Sequence, residues 1–161
     1  MNATDKMKLR AALGYIELGM LKDAALEVGE LSTETADSID GLILRLELAQ
    51  RSGTWTKAER IARKLTKLQP DEPDWSIALA YAARRAHSVE TARTILSQAV
   101  SKFPREAVIH FNLACYACQL GEIPIARDCL RRAFALDRTY IVTALKDQDL
   151  RPIWPEILCA G

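Results

Sequence analysis

Apolar residues recur along the chain at intervals of three and four positions, which is the spacing of one face of a helix. Ala, Leu, Arg and Glu dominate these segments. Runs of Val, Ile and Thr, the residues that favour strands, are nearly absent. The pattern therefore predicts an all-α protein.

A second, longer period of 34 residues orders the predicted helices. Gly19, Gly53 and Gly121 lie on this period, and His87 takes the remaining position, where we expect a tighter turn or a helix that ends differently. An alanine follows each of the four positions by five residues: Ala24, Ala58, Ala92 and Ala126. Other small and large apolar residues keep the same register. The period defines four blocks, at 5–38, 39–72, 73–106 and 107–140.

This arrangement resembles the tetratricopeptide repeat (TPR), a unit of about 34 residues that forms two antiparallel helices. The resemblance implies a single domain over residues 1–161, a right-handed α-solenoid of antiparallel helix pairs. The last unit of a stack needs a cover, and the apolar segment 141–158 predicts a capping helix followed by a proline-bent stretch. Its string DLRPIW, residues 149–154, is similar to the ending of many bacterial proteins of this family.

The resemblance also implies a function. Members of the family hold a peptide or an amphipathic helix of another protein on a concave face, which the first helix of each pair lines. The repeat positions on these first helices that are not used for packing give the expected groove residues: Leu9, Leu13, Ile43, Glu47, Arg51, Ile77, Tyr81, Arg84, Arg85, Phe111 and Cys115. We expect the partner's apolar side on this stripe and its acids on the arginines. The alternative is that these apolar residues belong to the core, because the groove is narrow or because the C-terminal segment fills it.

The predicted function is a non-enzymatic adaptor for protein–protein interaction. Leu9, Leu13 and Ile43 stand where the chaperone-binding members of the family carry polar clamp residues, so we do not predict a co-chaperone of that type. Two alternatives remain open. One is a small bacterial chaperone for secreted proteins, and the other is a self-associating structural subunit, that is, a homo-oligomer.

Composition and charge limit the classes of partner that we expect. The 161 residues, 49% of them hydrophobic, suffice for one domain with a core, and 22 basic against 21 acidic side chains give no overall field for nucleic acid or membrane. One helix carries a basic stripe, which we interpret as a solvated convex face, with docking of nucleic acid or an acidic partner as the alternative: Lys57, Arg60, Arg63, Lys64 and Lys67. The first ten residues lack the pattern of a secretory signal, and no apolar run approaches the ~18 residues of a membrane span. The four cysteines all lie in the last third of the chain, whereas a small secreted disulfide scaffold would spread them across the fold, so we expect a cytoplasmic protein.

The pair Cys115 and Cys118 is the one pattern that suggests chemistry. A structural metal site needs about four ligands, and Cys129 and Cys159 lie in other segments. A redox pair is expected at a helix N-terminus after a strand, whereas this pair lies within a predicted helix. We therefore expect packing or groove lining, with no cofactor, metal or catalytic residue, and keep a redox or metal role as the open alternative.

Overall fold

A computed structural model describes residues 2–159, and these residues form helices and no strand. The all-α prediction is confirmed. The helices are α1 (Ala3–Glu17), α2 (Leu21–Gly29), α3 (Thr33–Ala36), α4 (Ile39–Arg51), α5 (Trp55–Leu68), α6 (Pro73–Ala86), α7 (Val89–Lys102), α8 (Ala107–Gln119), α9 (Ile123–Leu136), α10 (Thr139–Ala144), the 3₁₀ helix η1 (Gln148–Ile153) and α11 (Trp154–Cys159). Among the described residues, no helix is both long and apolar enough to span a bilayer.

The chain divides into two compact units, unit 1 (Met1–Ala82) and unit 2 (Ala83–Gly161), and the division falls within α6. In unit 1, Ala12 and Ala24 are fully buried where α1 meets α2, and Ile16 packs with Leu44 and Leu48 of α4. Small residues at these columns let the helix backbones approach, and the larger ones fill the space between pairs.

The turn within each helix pair follows the glycine period. Gly19, Gly53 and Gly121 have φ of 75°, 68° and 76°, the left-handed conformation that ends a helix and that other residues adopt at a cost. At the fourth position, His87 has no positive φ. There α6 continues to Ala86 and α7 begins at Val89, so the connection is one residue shorter than in the other pairs. The helix therefore ends differently, one of the two outcomes expected for this position.

The first pair departs from the repeat through the extra helix α3. Asp5 of α1 holds it in place: its Oδ2 accepts hydrogen bonds from Ser32 Oγ at 2.5 Å and Thr35 Oγ1 at 2.6 Å. These donors, that of Ser32 first, lower the pKa of Asp5 below its ordinary value. On the other side of α3, Gly41 of α4 lies so close that a Cβ there would be 2.1 Å from the Thr35 carbonyl oxygen.

Within unit 2, the C-terminal segment packs against α8, as the prediction of a cap implies. Leu150 and Ile153 of η1 are 0% and 1% exposed, and η1 contacts α8. Trp154 Nε1 donates a hydrogen bond to the Ala144 carbonyl at 2.9 Å, which joins α11 to α10. The segment therefore forms two short helices around a 3₁₀ helix rather than one capping helix and a bent tail.

Candidate functional site

The first helices of unit 1, α1 and α4, enclose an open cleft of about 450 Å³. Its floor is apolar, and Leu13 and Ile43 remain 43% and 37% exposed. Charged side chains stand on both helices around this floor. The lining residues are Lys6, Leu9, Arg10, Leu13, Asp40, Ile43, Leu44 and Glu47.

A second cleft, of about 570 Å³, lies between α4, the start of α5 and α6. It is rich in aromatic side chains, and the rings of Trp55 and Tyr81 meet edge to face with centroids 5.5 Å apart. Ile43 and Glu47 line both clefts, so the two form one continuous surface, here called the unit 1 groove. The second cleft is lined by Ile43, Leu46, Glu47, Gln50, Arg51, Trp55, Asp74, Trp75, Ala78 and Tyr81.

The charges of the unit 1 groove are only partly paired. Arg51 Nη2 lies 3.2 Å from Glu47 Oε1, one helical turn away on α4. Within the described residues, the side chains of Lys6, Arg10, Asp40 and Asp74 form no hydrogen bond or ion pair. These four charges are therefore available to a bound molecule.

In unit 2 the corresponding first-helix face is covered by the chain's own C-terminal segment. The Phe111 ring, 5% exposed, packs on Tyr140 at 4.9 Å between centroids. Cys115, 3% exposed, donates its thiol hydrogen to Asp147 Oδ2 at 3.6 Å. The expectation that Phe111 and Cys115 line an open groove is therefore corrected: both lie inside unit 2.

The arginine expected on the rim of that face is also engaged. Arg84 Nη2 lies 3.0 Å from Asp149 Oδ2, and its guanidinium lies 5.6 Å from the centre of the Tyr116 ring. Arg85 is exposed to solvent. Asp149 of the C-terminal segment thus pairs with Arg84, one of the arginines expected to meet the acids of a partner.

The two central cysteines, Cys115 and Cys118, are buried on α8. Burial raises the pKa of both Cys115 and Cys118, and the carboxylates of Asp147 and Asp149 raise it further, so the thiols stay protonated at neutral pH. Among residues 2–159, no group of three or more His, Cys, Asp or Glu side chains is arranged to hold a metal ion. His110 is buried, and its Nε2 lies 2.8 Å from the Pro104 carbonyl oxygen.

The structure brings some of the expected residues together in the unit 1 groove. Six expected residues line it: Leu9, Leu13, Ile43, Glu47, Arg51 and Tyr81. Ile77 is half-buried on α6 and lies outside both linings. The groove residues not predicted from sequence include Trp55, Trp75 and the unpaired charged side chains of Lys6, Arg10, Asp40 and Asp74. Both tryptophans lie in first helical turns, a pattern that the sequence already contains. Trp55, however, lies on α5, the second helix of its pair, and only first helices were expected to line the groove.

Comparison with solved structures identifies the class of fold. The crystal structure of a thermophilic TPR protein in Thermus thermophilus superposes with a TM-score of 0.65 at 19% sequence identity, covering 96% of this chain and 99% of that one. The chain therefore has the tetratricopeptide-repeat fold, an α-solenoid of helix pairs. No protein-family model matches the sequence, and no curated protein does.

Proposed function

We propose that the chain is a non-enzymatic protein-binding module that holds a segment of another protein in the unit 1 groove. One observation supports this most directly. The first-helix face is apolar and open in unit 1, whereas in unit 2 the chain's own segment covers it. Contiguous exposed apolar surface is a cost that proteins retain mainly where a partner buries it.

The bound segment is a peptide or an amphipathic helix whose apolar side contacts Leu13 and Ile43. Ile43 is the central anchor point because both clefts share it. The helices are ordered before binding, so little conformational entropy is lost when the segment docks. A small chaperone for secreted proteins would use the same groove, and it would keep its client soluble. A cytoplasmic location fits the free cysteines Cys115, Cys118, Cys129 and Cys159.

A phage-displayed random peptide library, selected on the purified protein, tests this proposal. Peptides selected on the wild type should bind Ile43→Glu at least about tenfold more weakly, since a charge would enter the apolar centre of the groove. Ile39→Glu is the matched control: Ile39 is on the same helix and 38% exposed against 37% for Ile43, but lines neither cleft. Equal binding to both variants, each shown to be folded by circular dichroism, would contradict the proposal.

A second candidate is self-association through the N-terminal pair. Met7, Leu18 and Leu26 are 71%, 75% and 69% exposed. Leu26 occupies a repeat column that holds polar residues in the later blocks, namely Arg60, Thr94 and Asp128. Light scattering over a range of concentrations tests this. A mass that rises toward twice 17.9 kDa, and falls back in Leu26→Arg, supports a homodimer, and a constant 17.9 kDa counts against it.

A further inference from the structure

We propose that the second cleft of the unit 1 groove is a subsite for one cationic side chain, Lys or Arg, of the bound segment. This inference rests on the proposed function, because it describes how the same groove selects its partner. It also reverses the sign expected from sequence, where the partner's acids were paired with arginines.

The aromatic lining is the first argument. Trp55, Trp75 and Tyr81 all line this cleft, and Tyr81 is 43% exposed. Trp75 is held in position because its Nε1 donates a hydrogen bond to Gln69 Oε1 at 2.9 Å. Aromatic rings attract ammonium and guanidinium groups through their quadrupoles, Trp most strongly. Three such rings around one cleft favour a cation with an aliphatic stem.

The charge of the lining is the second argument. Glu47 and Asp74 contribute two carboxylates, and Arg51 contributes the one cation. Arg51 already pairs with Glu47, so its charge is largely compensated. The carboxylate of Asp74 has no side-chain partner among the described residues. A lysine or arginine that enters the cleft gains this carboxylate, whereas an acid there would be repelled by it.

The charges that line the first cleft favour one orientation of the bound segment in the groove. Lys6 and Arg10, one turn apart on α1, are unpaired within the described residues, and the acids of this cleft, Asp40 and Glu47, lie on α4, so an acidic residue of the segment is favoured on the α1 side. The apolar contact with Ile43 lies between the two clefts. The partner therefore presents an acid, an apolar anchor and a cation in this spatial order, from α1 toward α6.

Sequencing of the peptides selected above provides the test. We expect Lys or Arg to be enriched at one position relative to the unselected library. Replacing that residue by norleucine in a synthetic peptide should weaken binding at least about fivefold to the wild type and by a smaller factor to Asp74→Asn, which keeps the aromatic rings but lacks the carboxylate. Selection on Asp74→Lys should instead enrich Asp or Glu at that position. Asp23→Asn is the matched control for Asp74→Asn, because Asp23 is also an acid in a first helical turn but lies outside both clefts.

The indole N–H signals of the three tryptophans report the location. Titration with the synthetic lysine peptide should shift the signals of Trp55 and Trp75, whereas Trp154, bonded to Ala144 in unit 2, should not move. Peptides that depend on Ile43 but show no enrichment of Lys or Arg would overturn this inference and leave the proposed function standing. If no selected peptide depends on Ile43, the proposed function fails, and this inference fails with it.

Discussion

The packing of Leu150 in η1 against the rest of unit 2 decides whether the first-helix face there is closed, and Leu150→Ala weakens this packing. Leu150 is 0% exposed, and replacing a buried leucine by alanine costs about 2–5 kcal/mol, depending on how far the site collapses. Leu150 lies in a short 3₁₀ helix that can move toward α8, so we expect about 2–3 kcal/mol, the lower part of the range. The variant should therefore stay folded, because domains are stable by about 5–15 kcal/mol.

Urea unfolding followed by circular dichroism measures this loss, with Leu158→Ala as the control. Leu158 lies in the same C-terminal segment but is 67% exposed, so its truncation should change stability by less than about 0.5 kcal/mol. Labelling of Cys115 by a thiol reagent gives a second readout. It should be slow in the wild type and faster in Leu150→Ala, because the cover over Cys115 loosens. Equal stability and equal labelling in the two variants would refute the packing of this segment.

Two further predictions concern the turns and the extra helix of the first pair. Gly53→Ala should destabilise the protein by about 1–2 kcal/mol, because φ is 68° at this position. Gly14→Ala, within α1 and with open space around a Cβ, should instead stabilise the protein by about 0.5–1 kcal/mol. Urea unfolding measures both changes, and the same sign for the two variants would contradict the turn geometry. The hydrogen bonds from Ser32 and Thr35 lower the pKa of Asp5 from its ordinary 3.8, so its contribution to stability is full above that pH and is lost as the pH falls through the lower value in the folded protein. As the pH falls below about 5, the stability of wild type should therefore fall more steeply than that of Asp5→Asn, and parallel pH profiles from urea unfolding would contradict this role.

The fold could be predicted because each repeat column has one packing role in every block. Helices α4, α6 and α8 begin at Ile39, Pro73 and Ala107, which are the first residues of the second, third and fourth blocks. The period specifies which residues face a neighbouring helix, and those contacts are local along the chain. The extra helix α3 was not predicted, because Asp5 holds it through hydrogen bonds that no period encodes.

The site was less predictable because it depends on segments outside the repeat. The period assigns Phe111 and Cys115 to the same face as Leu9 and Leu13, and it cannot say which part of that face the C-terminal segment covers. The pairing of charged side chains could not be predicted from the sequence either. The sequence predicts that Arg84 faces a groove, but only the structure brings Asp149, 65 residues away, to within 3.0 Å of it.

Mapping a bound peptide onto the methyl groups of the protein by NMR tests the central claim most directly. The claim is that partners bind the open groove of unit 1 and leave the covered face of unit 2 closed. We predict that a selected peptide shifts the methyl signals of Leu9, Leu13 and Ile43 and leaves those of Leu150 and Ile153 unchanged. Shifts confined to Leu150 and Ile153 would mean that the partner displaces the C-terminal segment instead, and would contradict the account.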